Sequence, residues 1–594
     1  MKKLLSIAIA GALFSQPVLA ADMNKVLRVA FNAPESGYDP AKTSDAYGNM
    51  VYEHLFDPLL TYDYLARPAK LIPNVLTAMP VVSEDNQTFT FHLKKGIFFA
   101  PDAAFKGKKR ELTAEDYAYS IKRMVDPQLR SPQAYLVSGK FIGIDGLVKK
   151  ANKGHLDYDT PIEGIRVLDR YTLQLTTTEA YPSLPYVLAM PQFGAVAREV
   201  IEAYGSDTHA HPVGTGPYML KDWKPSVHTS LVVNPHFRKE VFNYQPGNNK
   251  EDQQIAREMN GKTVPQIGRI EISVITEEQP TWLAFKGGEI DLLTENPSLP
   301  QPVTRQALVM DPNNPLRAEL KSKLKEQGIE LKRKLSPEVT YFHFNMQDPV
   351  VGGYSKEKIA LRRAIGMAFD FNESIRDIRR NQAIRMQYLI PDGVVGHRPE
   401  YKLASEYNPA LANALLERFN YKIGGDGYRT LPGGHPLLID FMSNEGAIGR
   451  QWDEYWKKAF DRIKIKVKFK AVPFNETLKA MNECQYMING SAWGADFPDG
   501  SNFMQLLAGK NIGQTNNACY KSEKYDAMYA KTESMADGPE REALYQKMNK
   551  IVAADAPIIF SDTRIRNGVY HNWVKGVKMH PQLGSLWRYL DIQK

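Results

Sequence analysis

Alternation of apolar and polar residues predicts β-strands at three places along the chain. Phe89, Phe91 and Leu93 share one face of an extended segment, and the residues between them are polar. A period of two is typical of a strand with one buried face. The same pattern recurs at residues 270–274 and at residues 463–469. We therefore predict a strand at each of these places.

Apolar residues at helical spacing predict helices between the strands. Thr113 and Asp116 have the spacing of a capping box, which is typical of a helix N-terminus. The apolar face that follows them ends before Pro127. Residues 361–369 repeat the same spacing and predict a second helix.

A third predicted helix begins with a cap residue followed by proline. Asn408 is suited to the N-cap and Pro409 to the first helical turn. Leu411, Leu415 and Phe419 form its predicted buried face. Because helices and strands are interspersed, the sequence indicates the α/β or the α+β class.

Polar stretches that contain glycine and proline interrupt this pattern at residues 239–265, 309–337 and 422–436. We interpret them as surface insertions or as connections between lobes. The chain has 594 residues, of which 43% are hydrophobic and 24% charged, an ordinary globular composition. At about 100–200 residues per domain, this length predicts several domains.

The N-terminus has the features of a secretory signal. Lys2 and Lys3 form a positive start, residues 4–14 are apolar, and small residues precede a cleavage point after Ala20. The residue directly after that point is Ala21 and not a cysteine, so we expect no lipid anchor there. No later segment reaches about 18 consecutive apolar residues. We predict a soluble protein in the periplasm of a Gram-negative bacterium.

The charge balance argues against a nucleic-acid partner. The chain has 75 lysines and arginines against 67 aspartates and glutamates, a net charge of +8. This excess is small for such a length and is not clustered, whereas nucleic-acid binding requires a basic patch. We predict no nucleic-acid partner.

The two cysteines predict a disulfide. Cys484 and Cys519 are the only cysteines, and an even number in an exported protein favours pairing. The alternative is a pair of unpaired buried thiols.

Several short motifs suggest catalysis, but each lacks its required neighbours. Residues 256–263 resemble a relaxed phosphate-binding loop, yet Pro265 obstructs the helix that such a loop requires. Residues 322–325 and 355–358 have the Ser-x-x-Lys pattern of penicillin-recognising enzymes without its partner motifs. We interpret all three matches as fortuitous.

Other polar residues also fall short of a catalytic set. The histidines between residues 209 and 236 would bind a metal only if folding brought them together, and we predict no metal site. Asp496 and Asp499 could form an acid/base pair acting on a sugar, but Pro498 favours a turn there instead. Because no reactive arrangement emerges, we predict a binding protein without a cofactor rather than an enzyme.

Sequence blocks in a fixed order point to a known family. They are FTFHLKKGI (89–97), LTAED (112–116), DP (126–127), GTGPY (214–218), GEID (288–291), LRRAI (361–365) and WGADFPD (493–499). In these blocks the chain resembles the family 5 extracellular solute-binding proteins. That family includes the oligopeptide- and dipeptide-binding receptors of ABC importers. The resemblance covers nearly the whole chain after the signal segment.

The resemblance implies an α/β fold of the periplasmic binding protein type, of class II or cluster C. Such a protein has two lobes joined by a hinge, and its three domains include one extra domain. By position, domain I would comprise residues 21–55, 198–338 and 561–594, domain II residues 56–197, and domain III residues 339–560. The chain would cross between the lobes near Val339 and Phe560, and these crossings would form the hinge.

The resemblance also implies a ligand site. Asp496 matches the family aspartate that pairs with the ammonium group of a peptide, which is costly to bury without a carboxylate. The segment Ser491, Ala492, Trp493 and Gly494 would pair its backbone with an extended ligand. A domain I loop would line the cleft, and its contact candidates are Thr43, Ser44, Asp45, Ala46 and Tyr47.

Three positions depart from the family pattern. Gly490 and Met481 stand where the oligopeptide receptor has basic residues that help to bind the ligand carboxylate. Gln133, which we also count as a contact candidate, stands where that receptor has a cleft tyrosine. We therefore expect the acidic end of the ligand to be recognised differently.

The function implied is capture of a short peptide or other small solute. We expect a monomer that closes around its ligand and delivers it to ABC permease and ATPase subunits. The alternative is the same receptor role with another cargo, such as haem, a metal chelate, an oligosaccharide or a bile-type amphiphile.

Overall fold

A computed structural model of the protein describes residues 21–43, 45–151, 154, 156–294, 299–311, 314–401 and 406–594. The predicted signal segment, residues 1–20, and Ser44 lie outside the described residues. Within those ranges, no helix combines the length and the hydropathy that a membrane crossing requires.

Strands and helices are interspersed along the described chain. The strands are β1 (Asp22–Phe31), β2 (Leu60–Tyr62), β3 (Leu71–Pro73), β4 (Val81–Val82), β5 (Thr88–His92), β6 (Ile165–Asp169), β7 (Thr172–Thr176), β8 (Tyr218–Lys224), β9 (His228–Val233), β10 (Glu240–Val241), β11 (Thr263–Val264), β12 (Ile267–Val274), β13 (Leu292–Leu293), β14 (Leu308–Met310), β15 (Ala318–Leu320), β16 (Ile329–Leu335), β17 (Glu338–Phe344), β18 (Ala383–Arg385), β19 (Leu438–Asn444), β20 (Lys466–Val472), β21 (Ile488–Gly494), β22 (Ile558–Phe560), β23 (Asp562–His571), β24 (Val574–Lys575) and β25 (Asp591–Ile592). The α-helices are α1 (Ala46–Leu55), α2 (Ala114–Arg123), α3 (Ile144–Lys149), α4 (Leu184–Val187), α5 (Arg198–Tyr204), α6 (Lys250–Met259), α7 (Glu278–Lys286), α8 (Thr304–Ala307), α9 (Ser322–Glu326), α10 (Lys356–Ala368), α11 (Phe371–Asp377), α12 (Pro409–Arg418), α13 (Ala447–Arg462), α14 (Phe474–Asn482), α15 (Ser501–Met504), α16 (Glu523–Glu533) and α17 (Pro539–Asp555).

Four larger sheets organise these strands. One has the order β1-β12-β9-β8, with β1 and β12 parallel, and another has the antiparallel order β4-β5-β7-β6. A third has the order β13-β23-β16, and β18 also pairs with β23. The fourth is a mixed sheet of order β20-β19-β21-β17-β22. The mixed α/β content agrees with the predicted class.

Several predicted elements are confirmed. In β5, Phe89 and Phe91 are buried and His92 is exposed, as the alternation predicts. Strand β12 covers the second predicted strand. Helix α2 begins with the predicted capping box, in which Asp116 Oδ2 accepts a hydrogen bond from the Thr113 N–H at 2.8 Å. Helix α10 covers the second predicted helix.

The predicted buried face of α12 is confirmed only in part. Asn408 caps this helix as expected, and Leu415 and Phe419 pack partly buried against the core, but Leu411 is 52% exposed. Ala412 and Leu416 are the fully buried residues, because they face the core that α12 shares with α10. The sequence pattern permitted either face, and the neighbouring helix selected one.

The strand predicted at residues 463–469 begins later than expected. Ile463 follows the end of α13, and β20 starts only at Lys466. Ile463 and Ile465 are both buried in the core around Trp456. The first apolar residues of the predicted strand therefore lie in the short connection between α13 and β20 and not in the strand itself.

The polar stretches contain regular elements. Residues 239–265 form the β10–β11 hairpin and α6, whose Ile255 and Met259 pack into a large core. A buried ion pair between Asp252 and Lys578 joins α6 to the C-terminal part of the chain. Residues 309–337 include β16, which pairs with β23. Residues 239–265 and 309–337 therefore contribute core residues and paired strands to the fold, which surface insertions would not do.

Buried apolar residues form several separate groups. One group comes mostly from residues 59–200. A second joins β1 to residues of the 218–292 and 570–592 ranges. Two further groups lie within residues 339–560. Separate cores are expected when one chain builds more than one lobe.

Two adjacent strands carry the chain between these groups. Val339 lies in β17, and Phe560 ends β22, which pairs with β17 and places Tyr341 opposite Phe560. After Ser561, β23 leaves this sheet and pairs with β16 and β13. The two predicted hinge positions therefore lie in neighbouring strands.

The predicted disulfide between Cys484 and Cys519 is present. The two Cα atoms are 6.2 Å apart, and the bridge closes a sequence separation of 35 residues. It ties the end of α14 to the segment that precedes α16. This pairing excludes the alternative of two free thiols.

Candidate functional site

A polar cavity of about 830 Å³ lies between two parts of the chain. Residues 131–140 and 178–183 form one wall, and residues from the 493–533 range form the other. Serine, threonine, asparagine and glutamine side chains predominate in its lining, together with Trp493 and three tyrosines. Such a lining offers hydrogen bonds and flat aromatic surfaces to a polar guest.

Asp496, two residues after β21 ends, is not itself part of the cavity lining but is hydrogen-bonded to residues that are. Its Oδ2 atom accepts hydrogen bonds from Asn502 Nδ2 at 2.8 Å and from the Tyr135 hydroxyl at 3.3 Å. Asn502 Oδ1 accepts in turn from the Asp496 N–H and from Trp493 Nε1, each at 3.1 Å. Tyr135, Trp493 and Asn502 all line the cavity. Asp496 is thus held in place by residues of both walls.

The negative charge of Asp496 has no positive partner in the described protein. Burial raises the pKa of the Asp496 carboxyl, and the hydrogen bonds from Asn502 and Tyr135 offset only part of that effect. No lysine, arginine or histidine contributes to that pKa shift. A carboxylate held in this way is suited to a cation that arrives with a ligand.

Strand β21 presents an open backbone edge beside Asp496. On one side, residues 488–494 pair throughout with β17. On the other side, the pairing of β21 with β19 is limited to Ile488 opposite Phe441. No other described strand pairs with residues 491–494 on that side. This edge is therefore available to the main chain of an extended ligand.

The side chains of this segment have different surroundings. Ser491 Oγ lies 2.9 Å from the ring of the buried His343, so that side chain is engaged within the protein. Ala492 and Gly494 are exposed, and Trp493 is half-buried. The structure thus places Ser491, Ala492, Trp493 and Gly494 beside Asp496.

The predicted domain I loop lies elsewhere. Asp45 caps α1 and accepts a hydrogen bond from the Gly48 N–H at 2.8 Å, and Ala46 is the first residue of that helix. Thr43 is buried and bonds to the Tyr52 hydroxyl.

Tyr47 is the residue of this loop that reaches towards a cavity. Its hydroxyl donates to Asn32, which lines a second cavity of about 330 Å³. None of the described loop residues lines the cavity beside Asp496. The loop and Asp496 are therefore associated with different cavities.

Gln133 is buried, and a neighbouring tyrosine contacts Asp496 instead. Gln133 is 5% exposed, its side chain contacts Ser131, and it is not part of the cavity lining. Tyr135 provides the hydroxyl that reaches Asp496. Sequence reasoning missed Tyr135, although a tyrosine two residues from the expected position was an available signal.

The two other departures also have structural explanations. Gly490 lies against the Phe342 ring, where an added Cβ would come within 2.8 Å of a ring carbon. Met481 is buried in a small core with Met442 and Tyr486. Neither position could accept a basic residue without rearrangement.

Asp499 is part of a structural ion pair. Its carboxylate binds Arg541 through contacts of 2.6 and 2.9 Å, and both side chains are buried. Ser501 also donates to it. Because Asp499 is occupied in this way, the structure gives no support to an acid/base pair with Asp496.

The remaining motifs do not form sites among the described residues. Residues 256–263 comprise the end of α6 and the start of β11 rather than a loop before a helix. His211 stacks on Tyr204, whereas His228 contacts Glu271 at 2.8 Å. No group of three potential metal ligands occurs in the described ranges.

Charged residues link the two walls at the edge of the cavity. Lys140, on one wall, lies 3.4 Å from Glu533 on the other. Lys510 contacts the same glutamate. Together with the bond from Tyr135 to Asp496, this ion pair holds the walls towards each other.

Two lobes around a polar cavity, joined by neighbouring strands, define a two-lobe solute-binding protein. Residues 70–515 match the family described as bacterial extracellular solute-binding proteins, family 5 Middle. The chain belongs to this family.

Individual relatives cover most of the chain at low identity. The chain is 24% identical over 553 residues to the periplasmic oligopeptide-binding protein OppA of Escherichia coli (strain K12), covering 91% of this chain and 87% of that one. It is 22% identical over 484 residues to heme-binding protein A of Haemophilus influenzae, covering 80% and 76%. The solved structure of the periplasmic binding protein DppA from Helicobacter pylori with peptide STSA has a TM-score of 0.70 at 20% identity, covering 96% and 98%.

Proposed function

We propose that this protein is the periplasmic receptor of an ABC importer and that it captures a short peptide between its lobes. The ammonium group of the peptide binds Asp496, and its main chain pairs with residues 491–494. Permease and ATPase subunits then receive the ligand. The observation that carries this proposal is the carboxylate of Asp496, which has no cationic partner and lies beside an open strand edge.

The energetics of the site favour a ligand with a positive end. A buried charge is unfavourable unless it is paired, and a ligand ammonium would supply the missing partner of Asp496. Pairing along β21 involves backbone groups only, so it adds affinity without selecting a side-chain sequence. The site is therefore suited to peptides of varied sequence.

The cavity lining supports a polar cargo. Hydroxyl and amide groups predominate, and no histidine, cysteine or methionine is part of the lining. The relatives include both an oligopeptide-binding and a heme-binding protein by name. A peptide fits the lining better than haem or a bile-type amphiphile, which require larger apolar walls.

The remaining parts of the proposal concern organisation. We assign residues 1–20 to a cleaved signal, and we assign the three domains the boundaries given above. The separate cores of residues 59–200 and 339–560 support these boundaries. The receptor acts as a monomer and performs no bond chemistry.

Native mass spectrometry of the protein as purified tests this function. We expect a bound species whose mass and fragmentation identify a peptide, and we expect N-acetylation of that peptide to abolish its binding. A bound oligosaccharide or haem, or full affinity for the acetylated peptide, would contradict the proposal.

A further inference from the structure

Phe497 has its main chain in one lobe and its ring in the core of the other. The main chain lies between β21 and α15, within residues 339–560. The ring is 5% exposed and packs into the buried apolar group that comes mostly from residues 59–200. Among the described residues, no other buried apolar residue of 339–560 joins a core outside that range. The ring therefore forms an apolar contact between the lobes.

The main chain on either side of Phe497 is held by its own lobe. Before it, the Asp496 N–H donates a hydrogen bond to Asn502 Oδ1 at 3.1 Å. After it, the Pro498 carbonyl oxygen accepts a hydrogen bond from the Val395 N–H at 3.1 Å. Because Asn502 and Val395 belong to the same lobe as Phe497, a movement of that lobe carries the ring with it.

The ring enters an apolar part of the opposite lobe. Leu136 and Tyr181 line the same cavity as Phe497 and contribute to the same apolar group. Withdrawal of a phenyl ring from such a group exposes apolar surface to water, which is unfavourable. Burial of this ring therefore favours the arrangement in which the lobes are together.

Polar contacts near Phe497 provide weaker attachments between the lobes. The hydrogen bond from the Tyr135 hydroxyl to Asp496 is 3.3 Å long, which is long for two oxygen atoms. The ion pair between Lys140 and Glu533 is partly exposed, and such pairs contribute little. The ring of Phe497 thus attaches the segment that carries Asp496 to the opposite lobe.

We propose that Phe497 is a positioning residue for ligand capture. Its ring enters the core of the opposite lobe as the lobes close, and this movement places Asp496 beside Tyr135, where the ligand ammonium is received. When the lobes open, the ring withdraws and Asp496 loses its contact with that wall. The link to a ligand rests on the proposed function, whereas the movement of the ring does not.

Thiol labelling tests whether the ring leaves the core. The two native cysteines form a disulfide, so a Phe497→Cys variant has one reactive thiol. Phe503→Cys is the matched control, because Phe503 is fully buried in a core built within the same lobe. The reagent is a maleimide coupled to polyethylene glycol, which is too large for the cavity and reacts only when the lobes separate.

The expected result without ligand is faster labelling of Phe497→Cys. We expect its rate to exceed that of Phe503→Cys at least about tenfold, because separation of the lobes requires less free energy than unfolding of a core. Equal rates would place Phe497 in a permanent core and overturn the proposal. If Phe503→Cys does not fold, Ala364→Cys replaces it, at another fully buried position of the same lobe.

A peptide ligand should protect the thiol of Phe497→Cys. With a pool of short peptides that have free N-termini, we expect the labelling rate to fall about ten- to a hundredfold, because the ligand shifts the population towards closed lobes. The rate for Phe503→Cys should stay unchanged. Binding of the pool in calorimetry without protection of this thiol would contradict the proposal.

Substitutions of Phe497 test the contribution of the ring to affinity. Phe497→Ala should bind the same pool about ten- to a hundredfold more weakly. Phe497→Leu should retain most of the affinity, since a large apolar side chain still enters the core. Phe419→Ala removes a partly buried ring that packs within one lobe and should leave the affinity unchanged. Full affinity in Phe497→Ala would exclude the proposed role.

Labelling without ligand separates this inference from the peptide function. If no peptide pool binds, the proposed function fails, but the two labelling rates can still be compared. Faster labelling of Phe497→Cys than of Phe503→Cys would then support the movement of the ring. Equal rates would overturn this inference whether or not a peptide binds.

Discussion

At the scale of single residues, the charge of Asp496 dominates the binding region. Its carboxylate is oriented by Asn502 and Tyr135, which come from opposite walls of the cavity. These neutral donors fix its position but do not neutralise it. A ligand cation would therefore contact both the charge and, through Tyr135, the opposite wall. In this way binding at one residue favours closure of the lobes.

Removal of this carboxylate should be costly for binding. We expect Asp496→Ala to weaken binding of the co-purifying ligand by about 2–5 kcal/mol, because the ligand ammonium would be left buried without a partner. Isothermal titration calorimetry would measure the loss. Asp222→Asn, an exposed position, should leave the affinity unchanged. Unaltered affinity in Asp496→Ala would exclude the proposed role.

The raised pKa of Asp496 predicts a pH dependence of stability. The folded protein holds the proton of Asp496 more tightly than the unfolded chain does, so ionisation of this group lowers the stability. Asp496→Asn should therefore have a higher melting temperature at pH 7. The difference should shrink as the pH falls through the raised pKa and vanish below the ordinary value of 3.8. A constant difference across this range would be inconsistent with the prediction.

At the scale of elements, β21 is the strand that organises the region. Its pairing with β17 places residues 491–494 at an open edge, and the chain then turns into the segment that carries Asp496. Gly490 is required at its position because the Phe342 ring occupies the space of a side chain. The disulfide at Cys484, shortly before β21, anchors the connection from α14.

This disulfide should contribute to stability more than to binding. Replacement of Cys484 and Cys519 by serine should lower the free energy of unfolding by about 4 kcal/mol, the loop-closure estimate for this separation. Denaturant titration would measure the change, and calorimetry should find the ligand affinity nearly unchanged. A large loss of affinity with intact stability would instead show that the bridge shapes the binding region.

Features that depend on contacts between residues close in sequence were predicted better than features that depend on distant residues. The capping box at Thr113 and Asp116 and the cap at Asn408 are local hydrogen bonds, and both were predicted correctly. The buried face of α12 was predicted only in part, since contact with α10 selected Leu416 over Leu411. Tyr135 was missed for the same reason, because its partner Asp496 is distant in sequence.

At the scale of the whole molecule, polar contacts connect the two walls of the cavity. Lys140 and Glu533 form an ion pair across the cavity edge, and Tyr135 bonds to Asp496. The ion pair is partly exposed and contributes little, so its loss costs little when the lobes separate to release a ligand. The neighbouring strands β17 and β22 provide the connection about which they would move.

Loss of the ion pair should shift the population towards open lobes. Lys140→Gln removes a contact of about 0.2–1 kcal/mol, and the closed fraction without ligand should fall up to about fivefold. Small-angle scattering would detect the larger radius of gyration. Lys221→Gln, an exposed lysine elsewhere, should show no change. An identical scattering profile for Lys140→Gln would contradict this role of the ion pair.

The sequence by itself determined the family, the α/β class, the disulfide and the identity of Asp496 as the candidate acid. These follow from residue order, local spacing and cysteine number, all of which are properties of the linear chain. Only the tertiary structure decided that Tyr135 supports Asp496 and that Asp499 is paired with Arg541. The reason is physical: burial and charge compensation depend on which distant residues folding brings within a few ångströms.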